Sequence, residues 1–379
     1  MKRAVIVLAI VIGMTAFSGC SAELQNDGNF QFGKSVPMSE REPVKAGVKA
    51  MQDWIAQNGN VHLKRFTVHV DDNINTLVSQ YAYVSGDTDP LVTAQWLVSG
   101  GAITLGDQVY IYVGPEWADY PDWVKSSIAA HETFHVAQFG FLWDDWAHGG
   151  VESPAHPPDW ITEGGADYAA ARALDASGIH PYEEALAETT EQATSYTNSL
   201  ESISSPGADH ASGGAAPYAV GFLAMENLAL SSGEGAMFDF WDLLGQSRSW
   251  EEAFQGAYHR LPGDFVKEFD ASRGQDANIP TGGIAGLLVR KNGQPVAGAA
   301  IGACPLSSQQ RQDCRSTWTA DDGSFELALP EGEWLIQYRV ATRDSIDTGS
   351  FERGGTRSPS VTVGATLIQG LRATVSDPF

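Results

Sequence analysis

Residues 124–139 read Val-Lys-Ser-Ser-Ile-Ala-Ala-His-Glu-Thr-Phe-His-Val-Ala-Gln-Phe, and the pentapeptide His131-Glu132-Thr133-Phe134-His135 within them decides how the rest is read. Residues four apart share one face of a helix, so both imidazoles can point at a single metal ion. Val124, Ile128, His131, His135 and Phe139 continue one stripe, which puts the two histidines on the face that should be buried. Burying two imidazoles and the neighbouring carboxylate without partners is costly, and a metal is such a partner. The competing account is a pair of hydrogen-bonded core histidines.

A second helical segment runs Asp159-Trp160-Ile161-Thr162-Glu163-Gly164-Gly165-Ala166-Asp167-Tyr168. Together the two segments resemble the gluzincin group of zinc metallopeptidases. The resemblance implies one zinc ion held by His131, His135 and Glu163, with Asp167 bracing His131 from behind. It implies that Glu132 is the general base acting on a zinc-activated water. Positions 163 and 167 share a helical face, and a metal-bound His usually donates its other N–H to a carboxylate. Gly164 and Gly165 each cost a helix about 1 kcal/mol relative to Ala, a violated local rule of the kind found beside working sites. The rival metzincin pattern fails, because Gln138 and Phe141 stand where its Gly and third His belong.

Pro217-Tyr218-Ala219-Val220-Gly221-Phe222 resembles the gluzincin segment whose Tyr donates to the developing oxyanion, although Val220 replaces the usual Lys. That implies a catalytic role for Tyr218, against the alternative of a packed aromatic; His210 is a weaker candidate for the same task. Ala224-Met225-Glu226-Asn227 matches part of an aminopeptidase motif but lies on the wrong side of the zinc helix, and we read it as coincidence. Strand Gln108–Val113, with Tyr110 and Tyr112, is expected to be an edge that pairs with extended substrate. Residues Phe141–Pro158 read as an irregular surface loop.

Working outward, the chain holds 379 residues, enough for two domains, with 43% hydrophobic and 18% charged content typical of a folded protein. A net charge of −24 argues against a nucleic-acid partner, whose phosphates need Lys and Arg. Lys2, Arg3, the apolar run from Ala4 to Phe17 and Phe17-Ser18-Gly19-Cys20 read as a signal peptide over 1–20. The Cys after Ser-Gly resembles a bacterial lipobox, which implies acylation of Cys20 and attachment to a membrane through that lipid only. Ser21 then favours the outer membrane or cell surface. Residues 21–43 read as a flexible polar tether. Cys304 and Cys314 remain, and an exported chain with one such pair suggests a disulfide, with two free buried thiols as the alternative.

Val44, Val48, Met51 and Ile55 recur at helical spacing, and Val61 to Val70 alternates like a strand. Ala102 to Val113 reads as a hairpin turning at Gly106-Asp107, and helices are expected over 120–140, 159–175, 181–199 and 217–230, with shorter ones to Arg273. The expected fold is an α+β zincin-like catalytic domain over 44–275, a small N-terminal antiparallel sheet followed mostly by helices. Short apolar runs with turn residues between them make 281–379 all-β. Gly293-Gln294-Pro295-Val296, Asp321-Asp322-Gly323-Ser324-Phe325 and Leu329-Pro330-Glu331-Gly332 resemble the carboxypeptidase-regulatory, transthyretin-like β-sandwich. The implied activity is hydrolysis of a peptide or protein substrate outside the cytoplasm. The alternatives are a non-catalytic surface lipoprotein with structural zinc and a ligand-binding sandwich, and a cell-wall peptide amidase.

Overall fold

The structure is a computed structural model that describes residues 29–59, 63–86, 93–94, 97–98, 101–149, 157–194, 196, 199–203, 216–246, 249–276, 282–306, 315–320, 322–329, 331–341, 346–353, 356–357, 360–363 and 367–375. The signal peptide, Cys20, His210 and Cys314 lie outside them.

Four strands form the first sheet: β1 (Asn29–Phe32), β2 (Thr67–Asp71), β3 (Ala102–Leu105) and β4 (Gln108–Tyr112), in the order β1-β2-β4-β3. β1 pairs parallel with β2 and β2 parallel with β4; only the β3–β4 hairpin is antiparallel. The expected antiparallel sheet is therefore a mixed one. The reason is connectivity: helices α1 (Met38–Asn58) and α2 (Ile74–Ser85) carry the chain back across the sheet, and such crossovers make parallel neighbours. Strands and helices accordingly interleave at the start of the chain instead of separating into blocks. Asn73 opens α2 by accepting a hydrogen bond from Asn75 N–H, and Ile74, Leu77, Val78 and Tyr81 form its buried stripe.

Two further corrections follow. Part of the segment expected to be a tether is folded, since β1 lies within it and α1 begins at Met38. Its alternation of Phe30 and Phe32 with polar residues is a strand pattern that the overall polarity of 21–43 conceals. Of the strand expected from Val61 to Val70, residues 61–62 lie outside the described residues, and β2 begins at Thr67.

The sheet is covered on both faces. Val68, Val70, Val109 and Ile111 pack with Val44, Val48, Ala129 and Val136 from α1 and α3 (Asp122–Gly149). Tyr110 and Tyr112 point the other way into the stripe of α2, and His69 stacks on Tyr110 with ring centroids 4.9 Å apart. The two tyrosines are thus packing residues. α3 runs on to Gly149, so the first half of the expected 141–158 loop continues the helix; 150–156 lie outside the described residues.

Helices α4 (Asp159–Ala176), α5 (Tyr182–Ala193), α6 (Ala216–Ser232), α7 (Gly235–Gln246), α8 (Trp250–Tyr258) and α9 (Pro262–Asp276) complete the first unit. α4 and α6 cross at Gly164 and Gly221. A Cβ added at 164 would lie 2.3 Å from the Gly221 carbonyl carbon, whereas one at 165 meets nothing nearer than 3.9 Å. The two adjacent glycines therefore differ in kind. Gly164→Ala is expected to lower stability by about 1–3 kcal/mol through overpacking, while Gly165→Ala is tolerated or gains about 1 kcal/mol of helix propensity. Denaturant unfolding of both variants checks the order.

From Gly283 to Val375 the described residues form strands and turns with no helix among them. The strands are β5 (Gly283–Arg290), β6 (Ala300–Pro305), β7 (Arg315–Trp318), β8 (Ser324–Ala328), β9 (Gly332–Ala341), β10 (Ile346–Ser350), β11 (Glu352–Arg353), β12 (Thr356–Arg357), β13 (Ser360–Val363) and β14 (Leu367–Val375). One sheet has the order β12-β11-β14-β5-β8 and the other β10-β9-β6-β7, with β13 also on β9. Ile284, Leu288, Ile301, Ala303, Leu327, Ile336 and Val340 are buried, as alternation along each strand requires. Cys304 on β6 is disulfide-bonded.

Candidate metal centre and active site

His131 and His135 lie one turn apart on α3, and Glu163 reaches them from the first turns of α4. The Glu163 Oε2 atom is 3.2 Å from each Nε2, and the two Nε2 atoms are 2.9 Å apart. No other group of His, Cys, Asp or Glu among the described residues converges in this way. A tetrahedral ion with bonds of roughly 2.0–2.1 Å to nitrogen places its donors about 3.3 Å apart, so the three atoms stand close to the edges of such a site.

The outer nitrogens settle what these donors offer. His131 Nδ1 lies 2.7 Å from Asp167 Oδ1, a carboxylate that can only accept. His135 Nδ1 lies 2.6 Å from Gln138 Oε1, and the Gln138 amide is oriented because its Nε2 donates to the Thr162 carbonyl at 3.0 Å. Both Nδ1 atoms therefore carry the proton. In the neutral rings both Nε2 lone pairs then aim at the same point as the Glu163 carboxylate, and two lone pairs and an anion facing one another need a cation between them. These residues fit zinc: two imidazoles and one carboxylate, with no fourth His, Cys, Asp or Glu joining the group among the described residues.

Charge follows the same geometry. Burial pushes the Glu163 carboxyl up, but the two imidazoles outweigh it and hold Glu163 well below the usual carboxylate range. Burial lowers both histidines, and the carboxylates of Asp167 beside His131 and Glu163 beside His135 more than reverse this. Such a surplus of negative potential at the imidazoles is what a bound cation would take up.

Glu132 is buried beside this cluster. The Thr104 hydroxyl, from edge strand β3, lies 2.6 Å from Glu132 Oε2 and fixes the carboxylate. Burial pushes the Glu132 carboxyl up, and His135, His131 and Thr104 offset only part of that. A carboxylate whose pKa lies above its ordinary value is a better proton acceptor.

Tyr218, near the start of α6, lies nearly parallel to the His131 ring with centroids 5.8 Å apart, and its hydroxyl is close enough to feel the Glu163 carboxylate. Burial and the carboxylates of Glu163, Glu132 and Asp167 all push its phenol up, so it stays protonated and able to donate. Glu226, in the segment set aside as coincidence, accepts a hydrogen bond from Tyr182 away from this centre. The strand expected to be an edge, Gln108–Val113, is interior: β4 lies between β2 and β3, and β3 has the free side among the described residues.

Sequence reading missed three residues. Gln138 was recoverable, since position i+3 from His135 shares its helical face. Thr104 and Trp318, which meets the Tyr218 ring edge-on, come from strands distant in sequence, and no local spacing signals them.

No protein-family model matches the chain, and no curated protein matches it. Among solved structures it is similar to an M1 zinc metallopeptidase from Deinococcus radiodurans at 14% identity and a TM-score of 0.36, covering 63% of this chain and 46% of that one. A mutant of that enzyme gives 12% identity and a TM-score of 0.37, covering 64% and 47%. A mutant two-domain M1 zinc metallopeptidase bound to L-arginine gives 13% and 0.37, covering 66% and 48%. The chain spans about half the length of these structures.

Proposed function

We propose that this chain is a zinc-dependent peptidase acting outside the cytoplasm. The observation that carries the reading is the convergence of His131 Nε2, His135 Nε2 and the Glu163 carboxylate while both Nδ1 atoms are committed behind them. A structural zinc is closed by four protein ligands, whereas three leave a position for water. The retained Glu132, pinned by Thr104, has no use at a structural ion.

Zinc held there supplies Lewis acidity and lowers the pKa of water. Glu132 takes the proton of the attacking water and later passes it to the leaving amine. Tyr218 donates its phenolic hydrogen to the oxygen that becomes negative as the carbonyl is attacked. Asp167 and Gln138 keep both imidazoles in the tautomer that presents Nε2. The free side of β3 offers backbone groups to an extended chain, and Thr104 on that strand brings such a chain alongside Glu132.

The signal-peptide and lipobox reading of 1–20 supports delivery to a bacterial membrane with Cys20 as lipid anchor. The test is a chelator-reversible assay on denatured proteins and on muropeptides. Cleavage of protein chains, abolished by phenanthroline and restored by zinc, is expected. Cleavage of muropeptides alone would assign the amidase reading, and no cleavage of either would leave a structural ion.

A further inference from the structure

Tyr218 is held between two rings that come from different parts of the chain. His131 lies along one face, and the other contact is Trp318, edge-on with centroids 5.4 Å apart and planes at 82°. Trp318 belongs to the sandwich, at the end of β7. Its place there is fixed by register: Trp318 pairs with Ala300 on β6, and Ala300 pairs with Arg339 on β9. Directly paired residues point to the same side of a sheet, so Trp318 and Arg339 share one face, two strands apart.

That face is turned toward the metal-bearing unit. Arg339 Nη1 lies 2.8 Å from Glu116 Oε2, just after β4. At the other end of β7, and from the opposite side of the strand, Arg315 Nη2 lies 2.6 Å from Glu191 Oε1 on α5, with the Arg315 side chain only 7% exposed. Three contacts among the described residues therefore join the sandwich to the helical unit, and the aromatic one falls on the proposed oxyanion donor. Beside Arg339 a cleft is lined by Tyr112, Glu116, Trp117, Tyr120 and Ile128, and Ile128 stands on α3 immediately before the turn that bears His131.

We propose that the C-terminal sandwich is a working part of the active site, in which Trp318 is a positioning residue that holds Tyr218 where it can donate to the substrate oxygen. This rests on the peptidase reading. A phenol that donates only in the transition state must be kept from rotating away in the ground state. His131 restrains one face of the ring, and Trp318 supplies the second restraint. The sandwich would otherwise be a passive appendage, for which contact with a catalytic ring has no purpose.

The experiment is a double-mutant cycle on the full-length zinc-loaded protein, using Trp318→Ala, Trp318→Phe, Tyr218→Phe and the Trp318→Ala/Tyr218→Phe pair. Loss of one oxyanion donor lowers kcat by about 10²–10³-fold, so Tyr218→Phe should fall in that range. Trp318→Ala is expected to lower kcat about 10–100-fold with KM nearly unchanged, and Trp318→Phe to recover most of it. The pair should be no worse than Tyr218→Phe alone, because the two residues act through one donor. Binding of a phosphinic peptide, which mimics the tetrahedral oxygen, should weaken in parallel in Trp318→Ala, with zinc content unchanged and the protein still fully folded at the assay temperature. Fully additive losses, a change in KM alone, or unaltered phosphinate binding would overturn the proposal while leaving the peptidase reading intact. An inactive wild-type protein would instead sink that reading, and this inference with it.

Discussion

Glu132→Gln should bring turnover close to background while the protein still takes up one zinc ion per chain. General base catalysis contributes about 10²–10⁴-fold, and a Gln side chain cannot accept the proton of the attacking water. The substitution leaves everything else in place. Its carbonyl oxygen can still accept from the Thr104 hydroxyl, which lies 2.6 Å from the Glu132 carboxylate, and the neighbouring imidazoles keep their own partners. The change also removes a charge from a buried position, so folding should not suffer. Steady-state kinetics on a fluorogenic peptide, with metal content measured on the same preparation, checks both halves. Full activity in this variant would end the proposed chemistry.

Glu163→Ala should lose the metal. It deletes the only charged donor of the three and leaves two neutral nitrogens 2.9 Å apart. Residues behind the donors should matter less and in a definite order. Removing an outer partner of a metal-bound His typically costs 10–100-fold in affinity, so Asp167→Ala and Gln138→Leu should fall in that range and Glu163→Ala well beyond it. Competition against a chromogenic zinc chelator gives the three affinities. Equal effects at 163 and 167 would mean that Glu163 is not a donor.

How much of this was legible before any coordinates follows from the range of the forces involved. The pairing of His131 with His135 depends on helical periodicity alone, a local property, and the stripe from Val124 to Phe139 announces it. Glu163 and Asp167 share a helical face for the same reason, but their arrival at His131 is a tertiary event that only a family resemblance could suggest. Gly164 broke a helix rule in the sequence, and the structure supplies the reason, its close approach to Gly221. Its neighbour Gly165 carried the same sequence signal without the same cause.

Sheet direction was not legible. Alternation marks a strand but says nothing of its neighbour's direction, which depends on whether a helix intervenes. The stripe of α2 was overlooked between two strands, and with it went the parallel pairing of β2 and β4 and the interior position of β4. Thr104 stayed hidden for a related reason: a hydroxyl on a strand acquires meaning only from what lies across from it, 28 residues away. The C-terminal strands were recognisable from their turns, yet nothing in those turns shows that Trp318, Arg315 and Arg339 meet the helical unit.

The central claim is that two imidazoles and one carboxylate share a single zinc ion with a fourth position left open. Anomalous diffraction at the zinc edge from crystals of the loaded protein tests it most directly. The account predicts one peak at about 2.0–2.2 Å from His131 Nε2, His135 Nε2 and the Glu163 carboxylate, with no other protein atom in reach. A peak elsewhere, or a fourth side chain closing the site, would contradict it.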